Sequence, residues 1–175
     1  VPPPVAVPIP APVPAPIPGP ATPGSGNVVV SGELKRWHKI TLKFLNGPTT
    51  SELANPNPFT DYRLDVTFAK GGQTFVVPGY FAADGDAANT SADSGSVWFC
   101  HFSPPTTGTW NWQARFLTGS FVATQPLDQV SGSPASFDGI SGTFFVADTD
   151  KSGRDHRGKG LLRYVSGKHH VSTGR

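Results

Sequence analysis

Two clusters of side chains in this chain have the types that handle sugars. Arg36-Trp37-His38 sets an indole between a guanidinium and an imidazole, and Tyr80-Phe81 stands shortly before Asp84. Sugar rings carry apolar C–H faces that pack on exposed aromatic rings, and neighbouring polar groups meet the hydroxyls. Trp37 with Arg36 and His38, and Tyr80 with Phe81 and Asp84, are therefore the candidate carbohydrate-binding residues. Trp37 fits a core position as well as a surface one. Trp110 and Trp112 alternate with Asn111 and Gln113, which reads as a core-facing pair.

Two acidic stretches resemble cation loops. Asp148-Thr149-Asp150-Lys151-Ser152-Gly153 opens like a calcium loop, but the twelfth position, which should supply a bidentate carboxylate, is Lys159. Asp84-Gly85-Asp86, with Asn89 and Asp93 nearby, could gather oxygens around a cation but reads first as a polar turn. No metal site is assigned, Asp84, Asp86, Asp148 and Asp150 being the residues that could hold calcium if any did. No other cofactor is expected. Asp84 and Asp86 do not make a glycosidase pair, because the two carboxyls must flank a bond from opposite sides of a cleft.

Other chemistries are excluded by what the chain lacks. There is no phosphate-binding Gly-rich motif followed by Lys-Ser/Thr, no paired-Cys zinc pattern, no His-Glu-x-x-His and no nucleophile elbow. Cys100 is the single cysteine, so no internal disulfide can form, and a lone thiol in an apolar strand reads as a small core residue. His101 points to the other face of the same strand and cannot serve it as a base. No catalytic residue is assigned.

The elements that must position these groups are strands. Ile40, Leu42 and Phe44 alternate with Thr41 and Lys43; Tyr62, Leu64, Val66 and Phe68 share a face; and Gly71-Gly72 makes a hairpin into Thr74–Val77. Val97–Phe102, Trp110–Phe116 and Gly142–Ala147 read as further strands, with a small-residue loop over 79–96. Little helix is expected. Six or more short strands separated by turns point to an all-β antiparallel sandwich.

The first 27 residues are a different polymer. Eleven of the 19 prolines fall within residues 1–23, alternating with Val, Ala or Ile, and no charge occurs before Glu33. Such a run predicts a polyproline II spacer rising ~3.1 Å per residue. The expected organisation is a proline-rich linker over 1–27, a β-sandwich module over 28–149 and a basic connector over 150–175. That last stretch holds seven basic residues against two acidic ones but no interleaved aromatics, so nucleic acid is not an expected partner. No run approaches the ~18 apolar residues of a membrane span. Val1 at the start fits a processed chain or an excised segment.

Asn57-Pro58-Phe59-Thr60-Asp61, Gly79-Tyr80-Phe81 running to Asp84-Gly85, Phe102-Ser103-Pro104 and Gly108-Thr109-Trp110-Asn111-Trp112 follow one another in order. In this the sequence resembles the immunoglobulin-like domain of unknown function that precedes (β/α)8 glycoside-hydrolase-like catalytic domains in secreted bacterial proteins. The resemblance spans roughly residues 32–165, departing at Ala83 and at His101. It implies an immunoglobulin-like sandwich, secretion, and a non-catalytic accessory module that binds or presents polysaccharide. Leu161–Val165 would lead toward an adjacent catalytic domain, which this chain does not contain. The alternative is a structural domain that stabilises that neighbour without binding sugar.

Overall fold

The alternation of Ile40, Leu42 and Phe44 against Thr41 and Lys43 becomes a strand buried on one side only. In the computed structural model, which describes residues 27–164 and 171–173, this pattern recurs in the longer central strands. In chain order the strands are β1 (Val28–Gly32), β2 (Ile40–Phe44), β3 (Thr50–Ser51), β4 (Tyr62–Lys70), β5 (Gln73–Pro78) and β6 (Tyr80–Phe81). A single turn of helix, α1 (Ala87–Thr90), comes next. Then follow β7 (Ser94–Gly95), β8 (Trp98–Phe102), β9 (Gly108–Thr118), β10 (Ser133–Pro134), β11 (Ser141–Val146), β12 (Leu162–Tyr164) and β13 (Val171–Thr173). The predicted proline-rich spacer lies outside the described residues.

Two antiparallel sheets make the body of the fold. One has the order β1-β2-β8-β6; the other runs β10-β9-β4-β5, with β11 also pairing on β9. The Gly71-Gly72 hairpin forms as expected, with Lys70 opposite Gln73 and both glycines at positive φ, the requirement of a tight two-residue turn. Between the sheets, Phe68 stacks on Phe102 at 4.2 Å, Trp98 meets Phe116 edge-on at 4.8 Å, and Phe44 meets Trp112 at 6.1 Å. Trp110 and Trp112 are both core, as the alternation predicts. Burying each large apolar side chain contributes roughly 1.5–3 kcal/mol, so this aromatic interlayer is the main source of stability.

Three features depart from the expected strands. β1 has no alternation to announce it, yet Val28 and Val30 turn inward because β1 pairs along the whole of β2. The loop over 79–96 holds β6, paired with β8, then α1, where Asp84 accepts from the Asp86 N–H and Thr90 Oγ1, and β7, paired with β3. Leu162–Tyr164 pairs with Val171–Thr173 as a small hairpin.

Cys100 is fully buried opposite Leu42, and burial, reinforced by the charge of Asp65, pushes its thiol up to about 12. A thiol so seldom ionised is a poor nucleophile. It should react with a thiol-specific disulfide reagent at least a hundredfold faster in denaturant than in buffer, and comparable rates would show that the core opens.

The ends of the sandwich are distinct. At one end Arg36 and Trp37 donate their backbone N–H groups to the carbonyls of Ala147 and Pro104, so the 33–39 turn, the end of β8 and the end of β11 meet there. At the other, Leu45 bonds to Asn27 and Gly47 to Ser96. The chain therefore enters β1 at one end and leaves β11 at the opposite one.

Candidate functional site

The pleat of the β1-β2-β8-β6 sheet sends half its side chains outward, where an unusual row forms. Val29 stands opposite Lys43, Lys43 opposite Phe99, and Phe99 opposite Tyr80, a line across four strands spanning roughly 14 Å. A second row runs Ser31, Thr41, His101. Tyr80 is 44% exposed, and its ring meets Phe99 edge-on at 5.9 Å. Its hydroxyl lies 2.8 Å from His101 Nε2, and His101 Nδ1 lies 2.9 Å from Thr41 Oγ1. An exposed tyrosine held at both ring and hydroxyl has surrendered its rotamer freedom before any ligand arrives. Burial, aided by the charge of Lys39, holds His101 below its ordinary range, so at neutral pH it relays hydrogen bonds between Tyr80 and Thr41 without carrying charge. Burial likewise raises the Tyr80 phenol. Lys43 Nζ sits 5.7 Å above the Phe99 ring centroid, within cation–π range.

Tyr80 is also a wall of a cleft. The chain crosses from one sheet to the other at Pro78-Gly79-Tyr80, and this crossing closes a cavity of about 250 Å³ lined by Phe59, Tyr62, Arg63, Asp65, Pro78 and Tyr80, among others. Gly79 makes the crossing possible: a Cβ there would lie 2.5 Å from Leu64 Cδ2 and 2.9 Å from the Phe99 carbonyl oxygen. Arg63 Nε donates to Asp65 Oδ2 at 2.7 Å, and its Nη1 donates to the Gln125 carbonyl, tying the loop after β9 over this side. Phe59, exposed at the rim, meets Phe81 edge-on. Rim aromatics over a charged, hydrogen-bonding wall are the components of a small polar-ligand site.

The predicted sugar residues do not converge. Tyr80 lies on the outer face, and the charge of Lys43 reaches the exposed Asp84 from that same sheet. Phe81 and His38 are corrections to the expected exposure, at 7% and 2%. Phe81 follows Tyr80 on a strand, so it must face inward, where it packs on Trp98. His38 is turned in by a tight bend in which Leu34 and Trp37 both have positive φ, and its Nε2 meets Thr149 Oγ1 at 2.9 Å. Trp37 is half-buried in that bend, and Arg36 pairs with Asp148 at 2.8 Å. These three residues occupy the end of the sandwich from which β11 leaves, away from Tyr80. Phe99 and His101 were missing from the predicted set.

The acidic stretches are satisfied from within. Asp84 accepts from the Asp86 N–H and from Thr90 Oγ1, and Asp86 accepts from Asn89, which folds the segment into α1. Asp148 holds Arg36, while Asp150 takes Lys35 Nζ at 2.7 Å and Lys151 at 3.2 Å. Those two lysines hold Asp150 far below the usual carboxylate range. Glu33, His38 and Asp150 bring three ligand atoms within 4.8 Å of one another, but Lys35, Lys151 and Arg157 already surround the two carboxylates. Arg157 also clasps Asp155 and holds its carboxyl at about 2. The stretch that opens like a calcium loop is thus an ion-pair network fastening residues 148–157 to the start of the sandwich.

Residues 33–117 match the family model described as "Domain of unknown function (DUF5060)". No curated protein matches the chain. One solved structure does, titled a "putative glycoside hydrolase" from Bacteroides vulgatus, at 20% identity and a TM-score of 0.47 over 79% of this chain. The chain spans 19% of the length of that protein. The DUF5060 match runs from the 33–39 turn through most of β9, leaving out β1, β10 and β11, and includes Tyr80, Phe99 and His101. Among the described residues, no helix is long and apolar enough to cross a membrane.

Proposed function

We propose that this chain is a non-catalytic polysaccharide-binding module of a secreted carbohydrate-active protein, and that the polymer lies on the outer face of the β1-β2-β8-β6 sheet against Tyr80 and Phe99. The observation that carries the reading is the restrained exposure of Tyr80: ring against Phe99, hydroxyl fixed through His101 to Thr41. An open row on a sheet suits an extended chain, and the cleft behind Tyr80 offers a pocket for one branch or end. Asp84 borders the row and would meet sugar hydroxyls, while Arg36, Trp37 and His38 stand apart from it.

Affinity electrophoresis against a panel of polysaccharides tests this directly. Tyr80→Ala should weaken binding about tenfold, because aromatic packing contributes on the order of 1.4 kcal/mol. Tyr80→Phe keeps the ring and should lose only about half that free energy. Retardation by no polymer, or binding indifferent to Tyr80→Ala, would overturn the reading.

A second reading has its own observation. The network joining Glu33, Lys35, Asp150, Lys151 and Arg157 pins the segment after β11 rigidly to the sandwich, as a structural domain bracing a following catalytic domain would require. It predicts a stable module that binds no sugar and whose removal destabilises the longer polypeptide.

A further inference from the structure

The outer face carries more than aromatics. Lys39 precedes β2 on the side of Thr41 and Lys43, and its charge reaches His101. Among the described residues neither Lys39 nor Lys43 has a carboxylate partner, whereas Lys35 and Lys151 are both ion-paired. Asp84, the acidic group nearest Lys43, has both carboxylate oxygens engaged by Asp86 and Thr90. Two cations without an ion-pair partner thus stand on the β2 side of the Phe99–Tyr80 pair, roughly 13 Å apart along one strand.

From this we infer that the ligand is a polyuronate, a polysaccharide whose sugar carboxylates pair with Lys43 and Lys39 while a sugar ring packs on Tyr80, which Phe99 braces edge-on. The inference rests on the reading of this face as polysaccharide-binding. An equatorial carboxylate on a pyranose lies near the mean plane of the ring. A sugar stacked flat on an aromatic therefore directs it sideways, toward groups beside the platform, and that is where the lysines stand. Each cation is single and borders a hydroxyl or a ring, which suits one monovalent carboxylate. A sulfate would call for several converging donors, as an arginine fork supplies. A neutral polymer would cover both ammonium groups without pairing them, which opposes its binding.

The test uses the full chain and two matched pairs of polymers: polygalacturonate against its fully methyl-esterified form, and a sulfated galactan against its desulfated backbone. Polygalacturonate should bind at least tenfold more tightly than its ester, and its affinity should fall steeply between 50 and 500 mM NaCl, since exposed charge pairs are screened. The double variant Lys39→Ala/Lys43→Ala should lose about tenfold in affinity and most of the salt dependence, with an unchanged melting temperature. Lys70→Ala, on the other sheet, should change nothing. Equal binding of the ester, or a preference for the sulfated galactan alone, overturns the polyuronate and leaves the Tyr80 face standing. Polygalacturonate binding that survives the double lysine variant also overturns it. Binding of no polymer overturns both readings.

Discussion

Trp110→Ala should leave the protein barely folded at room temperature. The indole is fully buried on β9, packs edge-on against Phe102 at 5.2 Å, and lies opposite Phe144 on β11. Its Nε1 donates to the Thr106 carbonyl at 3.0 Å, which also fixes the turn between β8 and β9. Truncating a buried tryptophan costs about 3–5 kcal/mol, and losing the hydrogen bond adds about 1 kcal/mol. A domain of this size is stable by about 5–15 kcal/mol in all, so the loss is a large share of the whole. Urea unfolding should show the midpoint falling sharply at a constant slope. Trp110→Phe keeps most of the apolar contact and should lose less than half as much. A loss under about 1 kcal/mol for Trp110→Ala would mean that the sheets do not pack through this residue.

Trp110 is also where the sequence spoke clearly. Along β9 and β2, apolar and polar residues alternate, so which face turns inward follows from the pattern alone. The outer face of β8 was not legible in the same way. Trp98-Phe99-Cys100-His101-Phe102 is almost continuously apolar, and apart from the core reading of Cys100 nothing in the pattern marks which parity is buried. The choice is made by pairing with β2, where Phe44 stands opposite Trp98 and Ile40 opposite Phe102. Once that register is set, Phe99 and His101 must face out, and the platform beside Tyr80 exists. His38 failed for a related reason. Its burial depends on Thr149 and Glu33 and on a bend with two non-glycine residues at positive φ, a local geometry that propensity disfavours and long-range contacts impose. What the stretch from Asp148 does instead of holding calcium was not legible, because its partners, Lys35 and Arg36, lie more than a hundred residues earlier in the chain.

The Arg63–Asp65 pair, buried in the wall of the cleft, connects stability with the site. The Asp65 side chain is 8% exposed and that of Arg63 16%, with Nε to Oδ2 at 2.7 Å. Arg63→Met would leave the Asp65 carboxylate without its ion-pair partner, since Arg115 opposite it on β9 is turned to the Val130 carbonyl, and would cut the tie to the Gln125 carbonyl. Removing one partner of a buried pair typically costs about 3–5 kcal/mol, and the partial exposure of Arg63 places this case near 3 kcal/mol. Most of that cost belongs to the stranded charge. Arg63→Met/Asp65→Leu removes both charges and should recover to within about 1 kcal/mol of the parent, because a well-packed apolar replacement of such a pair is often neutral. Asp65→Leu alone should cost about 1 kcal/mol, because the partly exposed Arg63 keeps its bond to the Gln125 carbonyl, so the four chemical denaturation curves form a cycle with a coupling of about 3 kcal/mol. Additive single effects, each under about 0.5 kcal/mol, would show a pair behaving as a solvent-screened surface contact. In that case the wall behind Tyr80 would be soft, and the platform would owe its rigidity to His101 and Thr41 alone.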